Sequence, residues 1–144
     1  MGTETTGRSQ MVRRVIDVEG IAPPRSYYSH GMVAPGPTLW VAGQVALRPD
    51  GTIEDGDAAL QTEVVLENLR AVVEQGGGSM ADVVRTTVYL VDIDDRDAVT
   101  AVRERYFPKP APPNTLLVIA GLAHPAFKVE IDAVVALPPE APRS

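Results

Sequence analysis

Cysteine is absent from the 144-residue chain, so disulfides, a thiol nucleophile and thiolate metal sites are all excluded. Histidine is nearly as scarce. His30 and His124 stand far apart in the sequence, which argues against a His-built metal centre. Positive charge is also in short supply: 13 Lys and Arg against 19 Asp and Glu leave a net charge of −6. A balance of that sign predicts no general affinity for a phosphate backbone, and no nucleic-acid partner is expected. No apolar run is long enough to span a membrane. The polar opening MGTETTGRSQMVRR lacks the apolar segment of a secretory signal. The expected location is cytoplasmic.

What is present is ordinary for one globular domain, with 44% hydrophobic and 22% charged residues, in a chain long enough to bury a core. Residues 1–11 read as a flexible tail, 12–138 as the domain, and 139–144 as a second, Pro-rich tail.

Along the chain the apolar period changes several times. Val12–Val18 suggests a first strand around Val15 and Ile16. Pro35-Gly36-Pro37 is a turn signal. Leu39–Ala42 then reads as a strand running into Gly43-Gln44, where glycine marks a bulge or a close backbone approach. Asp50-Gly51 suggests a hairpin turn. From Asp57 to Gln75 the period becomes helical, with Val65, Leu66, Leu69, Val72 and Val73 on one stripe. Asp57 is placed to cap the start of this helix and Gly76-Gly77-Gly78 to stop it. Those three glycines follow a helix and precede no Gly-Lys-Ser/Thr, so they make no phosphate loop.

Asp82–Val91 is a strand apolar or β-branched at nearly every position, which suits a central place in a sheet. Asp94 or Asp95 then caps a second helix that runs to about Tyr106. Two further apolar runs follow, Leu116–Ile119 and Val129–Leu137. The last alternates: Val129, Ile131, Ala133 and Val135 share one face, and Glu130, Asp132 and Val134 the other. Adjacent acids on one strand face fit an edge strand that uses charge to deter pairing, or a carboxylate held at the wall of a cleft. On pattern alone the edge reading leads. The predicted architecture is α+β, a single mixed sheet with both helices on one face. Two helices cannot hide both faces of a sheet, so a symmetric partner is expected on the other.

Several segments together resemble one family. WVAGQVAL (Trp40–Leu47), QTEVVLENLRAVVEQGG, TTVYLVDIDD (Thr86–Asp95) and AGLAHPAFKVEIDAVVAL are similar to the Rid proteins, the reactive intermediate deaminases, also called YjgF-like. The similarity runs over roughly residues 14–137. It implies a chorismate-mutase-like subunit and a homotrimer with a small-molecule cleft at each subunit boundary. It further implies hydrolysis of imines or enamines to a carbonyl compound and ammonia, with no metal or organic cofactor.

By the same resemblance, Glu130 matches the glutamate that holds the attacking water, and Tyr28 a cleft tyrosine. Gly43 and Gln44 match a segment whose backbone lines the cleft, with Ala42 where serine is usual. Asp94 matches a polar cleft position in some members. His30 reads either as a loop histidine at the cleft mouth or as a participant, and His124 as a turn residue. One position departs sharply. After Tyr106-Phe107 and PKPAPP, the place of the family's substrate-gripping arginine is taken by Asn114. A guanidinium forms a charged, two-pronged bond to a carboxylate. Bonds to charged groups contribute about 1.5–3 kcal/mol against about 0.5–1.5 for neutral ones. Binding of simple imino acids such as 2-iminopropanoate should therefore weaken by about a hundredfold or more. A substrate with a carbonyl, hydroxyl or ring nitrogen at that point suits an amide better. The alternatives are a trimeric module that binds or senses a metabolite without turning it over and, weaker on charge grounds, an endoribonuclease or translation inhibitor.

Overall fold

A computed structural model describes residues 13–139; the first tail and all but the start of the second lie outside them. Strands β1 (Arg14–Val15) and β2 (Met32–Val33) pair antiparallel as a small separate sheet. The strand expected over 12–18 thus forms at two residues, because its partner is just as short and runs at once into the Pro35–Pro37 turn. Next come β3 (Thr38–Gln44), helix α1 (Ala58–Gln75), β4 (Val83–Leu90), helix α2 (Arg96–Tyr106), β5 (Asn114–Val118) and β6 (Val129–Ala136).

The main sheet has the order β3-β6-β4-β5, with β4 and β5 parallel and the other pairs antiparallel. This overturns the edge-strand reading of β6. It lies between β3 and β4, hydrogen-bonded on both sides, so its acids cannot be there to deter edge pairing. Their place on the strand follows from its alternation. Val129, Ile131, Ala133 and Val135 are buried in one core with Val65, Leu66, Leu69 and Val73 of α1 and Val99 and Val102 of α2. Both helices therefore cover the same face, as the two-layer reading requires. Glu130, Asp132 and Val134 point the other way and are half-buried.

Helix α1 starts where Asp57 accepts a hydrogen bond from the Leu60 amide at 2.9 Å, satisfying one of the free donors of its first turn. Gly77, at φ 101°, carries the chain out of the helix in the left-handed region that glycine tolerates. The start of α2 differs from expectation. Asp95 precedes it without a side-chain capping bond, while Asp92 accepts from the Asp94 amide at 2.9 Å and holds a short 3-10 turn, Ile93–Asp95. Asp50-Gly51 does turn a small hairpin, closed by Arg48–Thr52 backbone bonding and a Leu47–Ile53 bridge.

On its second face the sheet has no covering layer among the described residues. Trp40 is 74% exposed there and Leu117 44%. Among the described residues no helix is long and apolar enough to cross a membrane.

Candidate functional site

The strands β3 and β6 pair regularly from Thr38–Ala136 to Val41–Ala133, then the register shifts and Gln44 stands opposite Ile131. The shift is a bulge, and Gly43 sits in it. A Cβ at Gly43 would collide with the carboxylate of Glu130, standing 2.8 Å from its Cδ and closer still to one oxygen. Glycine, with no side chain, leaves room here for the acid that crosses above it. Gln44 turns its amide back onto the Ala42 carbonyl at 3.0 Å. Ala42, Gly43, Gln44 and Glu130 are thus brought together.

Burial pushes the Glu130 carboxyl above its ordinary 4.5, and the nearby Asp132 charge adds to the rise. No ion pair among the described residues reaches Glu130 or Asp132. Directly across the sheet Tyr89 pairs with Glu130, and Thr87 with Asp132. The Tyr89 hydroxyl donates to Asp132 Oδ2 at 3.0 Å. Tyr89 and Asp132 belong to this face although sequence reasoning did not assign them to the site. The alternation of β6 had placed Asp132 beside Glu130, but nothing local indicated that Tyr89 would lie opposite.

The entry to β6 is held from the helix layer. Gln61, buried in α1, donates to the Ala126 carbonyl at 2.7 Å and accepts from the Lys128 amide at 2.8 Å. Lys128 Nζ reaches the Gly56 carbonyl at 3.0 Å. His124 occupies a turn, as expected, with Nδ1 accepting from the Ala126 amide at 3.0 Å.

Tyr28 and His30 form a second group. Their rings meet edge to face at 5.7 Å, and His30 Nε2 lies 2.7 Å from the Ala22 carbonyl. Their segment is tied to the chain that leads into β5. Tyr27 donates to the Phe107 carbonyl at 2.6 Å and Ser29 to the Ala111 carbonyl at 2.6 Å. Arg103, 1% exposed, donates to the Tyr27 carbonyl at 3.1 Å, and its Nε has no partner among the described residues. Three residues past Ala111, Asn114 starts β5 opposite Thr86. The Thr86 hydroxyl donates to Asn114 Oδ1 at 2.6 Å, which leaves the amide NH2 free to donate elsewhere. Thr86 is fully buried and belongs with Val88 and Leu90 on the helix-covered face. Asn114 is therefore on that side of the sheet and Glu130 on the other. One protomer does not unite them.

Asp94 joins neither group. It is exposed in the turn after β4, near Asp92 and Asp95. Among the described residues no three His, Asp or Glu side chains converge to hold a metal ion.

Comparison with known proteins bears on what this arrangement does. The family model described as Endoribonuclease L-PSP matches residues 20–137. A RutC family protein of Pyrococcus abyssi is 34% identical over 125 residues, 86% of this chain and 97% of that protein. Among solved structures, a Rid family protein of unknown function from Yersinia pestis superposes with a TM-score of 0.80 at 34% identity, covering 88% of this chain and all of that one. A putative endoribonuclease of Thermotoga maritima superposes at 0.66 with 31% identity, covering 85% of this chain and 96% of that one.

Proposed function

The chain belongs to the Rid family, the group that also carries the RutC and L-PSP names, and on that footing we propose that it is an enzyme acting on a reactive imine, enamine or related carbonyl compound. The observation that carries the reading is the half-buried Glu130 carboxyl, held over the bare backbone of Gly43 with its proton affinity raised. A carboxyl whose pKa moves toward neutral is a better proton carrier at neutral pH than an ordinary one.

In the hydrolytic direction, Glu130 as carboxylate takes a proton from a water whose oxygen bonds to the imine carbon. The C=N pair moves to nitrogen, which receives a proton from Glu130, giving a carbinolamine. The C–N bond then breaks as the hydroxyl proton passes to nitrogen, and the carbonyl compound and ammonia leave. In the tautomerisation, the same carboxyl takes the N–H proton of an enamine while its own proton goes to the β-carbon, giving the imine without water. Tyr28 packs or hydrogen-bonds the substrate, and His30 stands at the mouth.

Asn114 sets the substrate class. With Oδ1 engaged by Thr86, its amide offers a neutral N–H donor, which suits a carbonyl, hydroxyl or ring acceptor and not a carboxylate. No other described residues of the protomer form a layer over the face bearing Glu130, and Asn114 lies on the other side of the sheet. Both features support a homotrimer in which neighbouring copies bring the two groups to one cleft. The net charge of −6 does not favour the ribonuclease activity that the L-PSP name suggests.

The test is ammonia release from imines generated in situ, with wild type and Glu130→Gln compared at equal protein. A fall of at least a hundredfold in the variant is expected. Equal rates would end the proposal. Asn114→Arg adds a second arm, in which turnover of 2-iminopropanoate is expected to rise.

A further inference from the structure

Glu130 does not stand alone on its sheet face, and the groups around it are unequal. Asp132 follows two residues along β6, about 6.4–6.8 Å away at strand spacing. Its carboxylate accepts the Tyr89 hydroxyl at 3.0 Å, from the residue that pairs with Glu130 across the sheet. Glu130 has no such donor among the described side chains. One acid of the pair is therefore tethered and the other is not.

The remaining charges near this face are engaged elsewhere. Arg85, also on β4, donates to Thr115 Oγ1 at 2.9 Å. Lys128, at the entry to β6, is bound to the Gly56 carbonyl. On the β3 side stand Gly43 and Gln44, and on β5 Thr115 and Leu117, all uncharged. Asp132 is then the charge that Glu130 meets at close range.

We propose that Tyr89 and Asp132 are a positioning pair: the phenol fixes the Asp132 carboxylate beside Glu130, and that fixed negative charge keeps the mobile proton on Glu130. The inference rests on the reading of Glu130 as the proton-carrying group of the site. Neither partner need touch the substrate. The hydrogen bond to Asp132, followed by burial, raises the Tyr89 pKa, so the phenol remains a donor throughout the working range. The same bond gives Asp132 a reason to remain on this face instead of turning into solvent.

The side-chain carboxyl carbon of Glu130, assigned by its loss in Glu130→Gln, can be followed by NMR through pH in the wild type, Asp132→Asn and Tyr89→Phe, without substrate. Two unit charges at this separation in a water-like medium interact enough to change proton affinity about threefold. Asp132→Asn is therefore expected to lower the proton affinity of Glu130 about threefold or more, and Tyr89→Phe to lower it by a smaller amount. A Glu130 titration unchanged in Asp132→Asn overturns the inference. Movement in Asp132→Asn but none in Tyr89→Phe overturns the positioning role of the phenol. Should Asp132→Asn fold poorly, Asp132→Ser supplies the same charge removal. The acid limb of the kcat/KM profile should shift with the NMR midpoint. Shifted midpoints with no imine turnover in any form would reject the proposed reaction and leave the pair standing.

Discussion

The carboxylate of Glu130 occupies the space that a side chain at Gly43 would fill. The two belong to neighbouring strands, and the bulge between Val41 and Gln44 lets one pass over the other. A bulge and a strand acid, each unremarkable alone, make a wall in which a carboxyl rests on open backbone.

Gly43→Ala should therefore move the acid without unfolding the protein. The colliding group is the end of a flexible side chain, which can swing aside, so stability should change by under ~1 kcal/mol. Displacing a reacting group by about 1 Å can lower turnover about a hundredfold. Denaturant melts beside imine turnover check both halves. A variant as active as wild type would show that the close approach has no chemical role.

Much of this was readable in one dimension. The alternation of β6, the cap at Asp57 and the α1 stripe are local patterns that formed as their periods require, except that Val72, expected on the stripe, is exposed at its edge. The site was legible only in pieces. That Gly43 belongs under Glu130 depends on the β3–β6 register, and that Tyr89 reaches Asp132 depends on the β4–β6 register. Neither register is written in any short stretch of chain. The charged face of β6 misled for the same reason. Acids on a strand suggest an edge, and only the order β3-β6-β4-β5 shows the strand to be interior. Asn114 could be found by resemblance, but the face it occupies follows from its parallel pairing with Thr86.

The buried amide of Gln61 should prove one of the more costly side chains to replace. Gln61→Leu keeps much of the volume but strands the Ala126 carbonyl and the Lys128 amide, both of which Gln61 now satisfies. Two lost bonds to part-buried backbone groups should cost about 2–4 kcal/mol. Urea unfolding measures it through a lowered midpoint at unchanged slope. A loss below about 0.5 kcal/mol would mean that water takes over both bonds.

Arg103 predicts the opposite sign. Burial lowers its pKa to about 10, no ion pair among the described residues reaches it, and its Nε finds no partner among them. Buried charges are often replaced by apolar groups at no loss, or with a gain of about 1–4 kcal/mol. Arg103→Met should thus be as stable as wild type or more so at pH 7. The folded chain releases this proton near pH 10 while the unfolded chain holds it to higher pH, so wild-type stability should rise relative to the variant above about pH 10. The bond from Arg103 to the Tyr27 carbonyl is lost in the variant, so amide exchange in residues 26–30 should quicken. Unchanged exchange there would mean that Tyr27 and Ser29 hold the segment unaided.

Glu130 itself should leave a mark on stability as well as on chemistry. Its folded pKa is raised above 4.5, first by burial and then by Asp132, whereas the unfolded chain keeps the ordinary value. Between those two values the folded state holds a proton that the unfolded state has released. The stabilising contribution is therefore complete below about pH 4.5 and is lost as pH rises through the folded pKa. Above that point the folded chain carries a partly desolvated charge that glutamine would not bring. Glu130→Gln should accordingly be more stable than wild type at pH 7, and the difference should shrink to nothing as the pH falls below about 4. Thermal melts of both proteins across this range read the difference directly. Parallel curves would show that the carboxyl is fully hydrated in the folded protein, and a fully hydrated carboxyl could not serve as the proton carrier of a cleft.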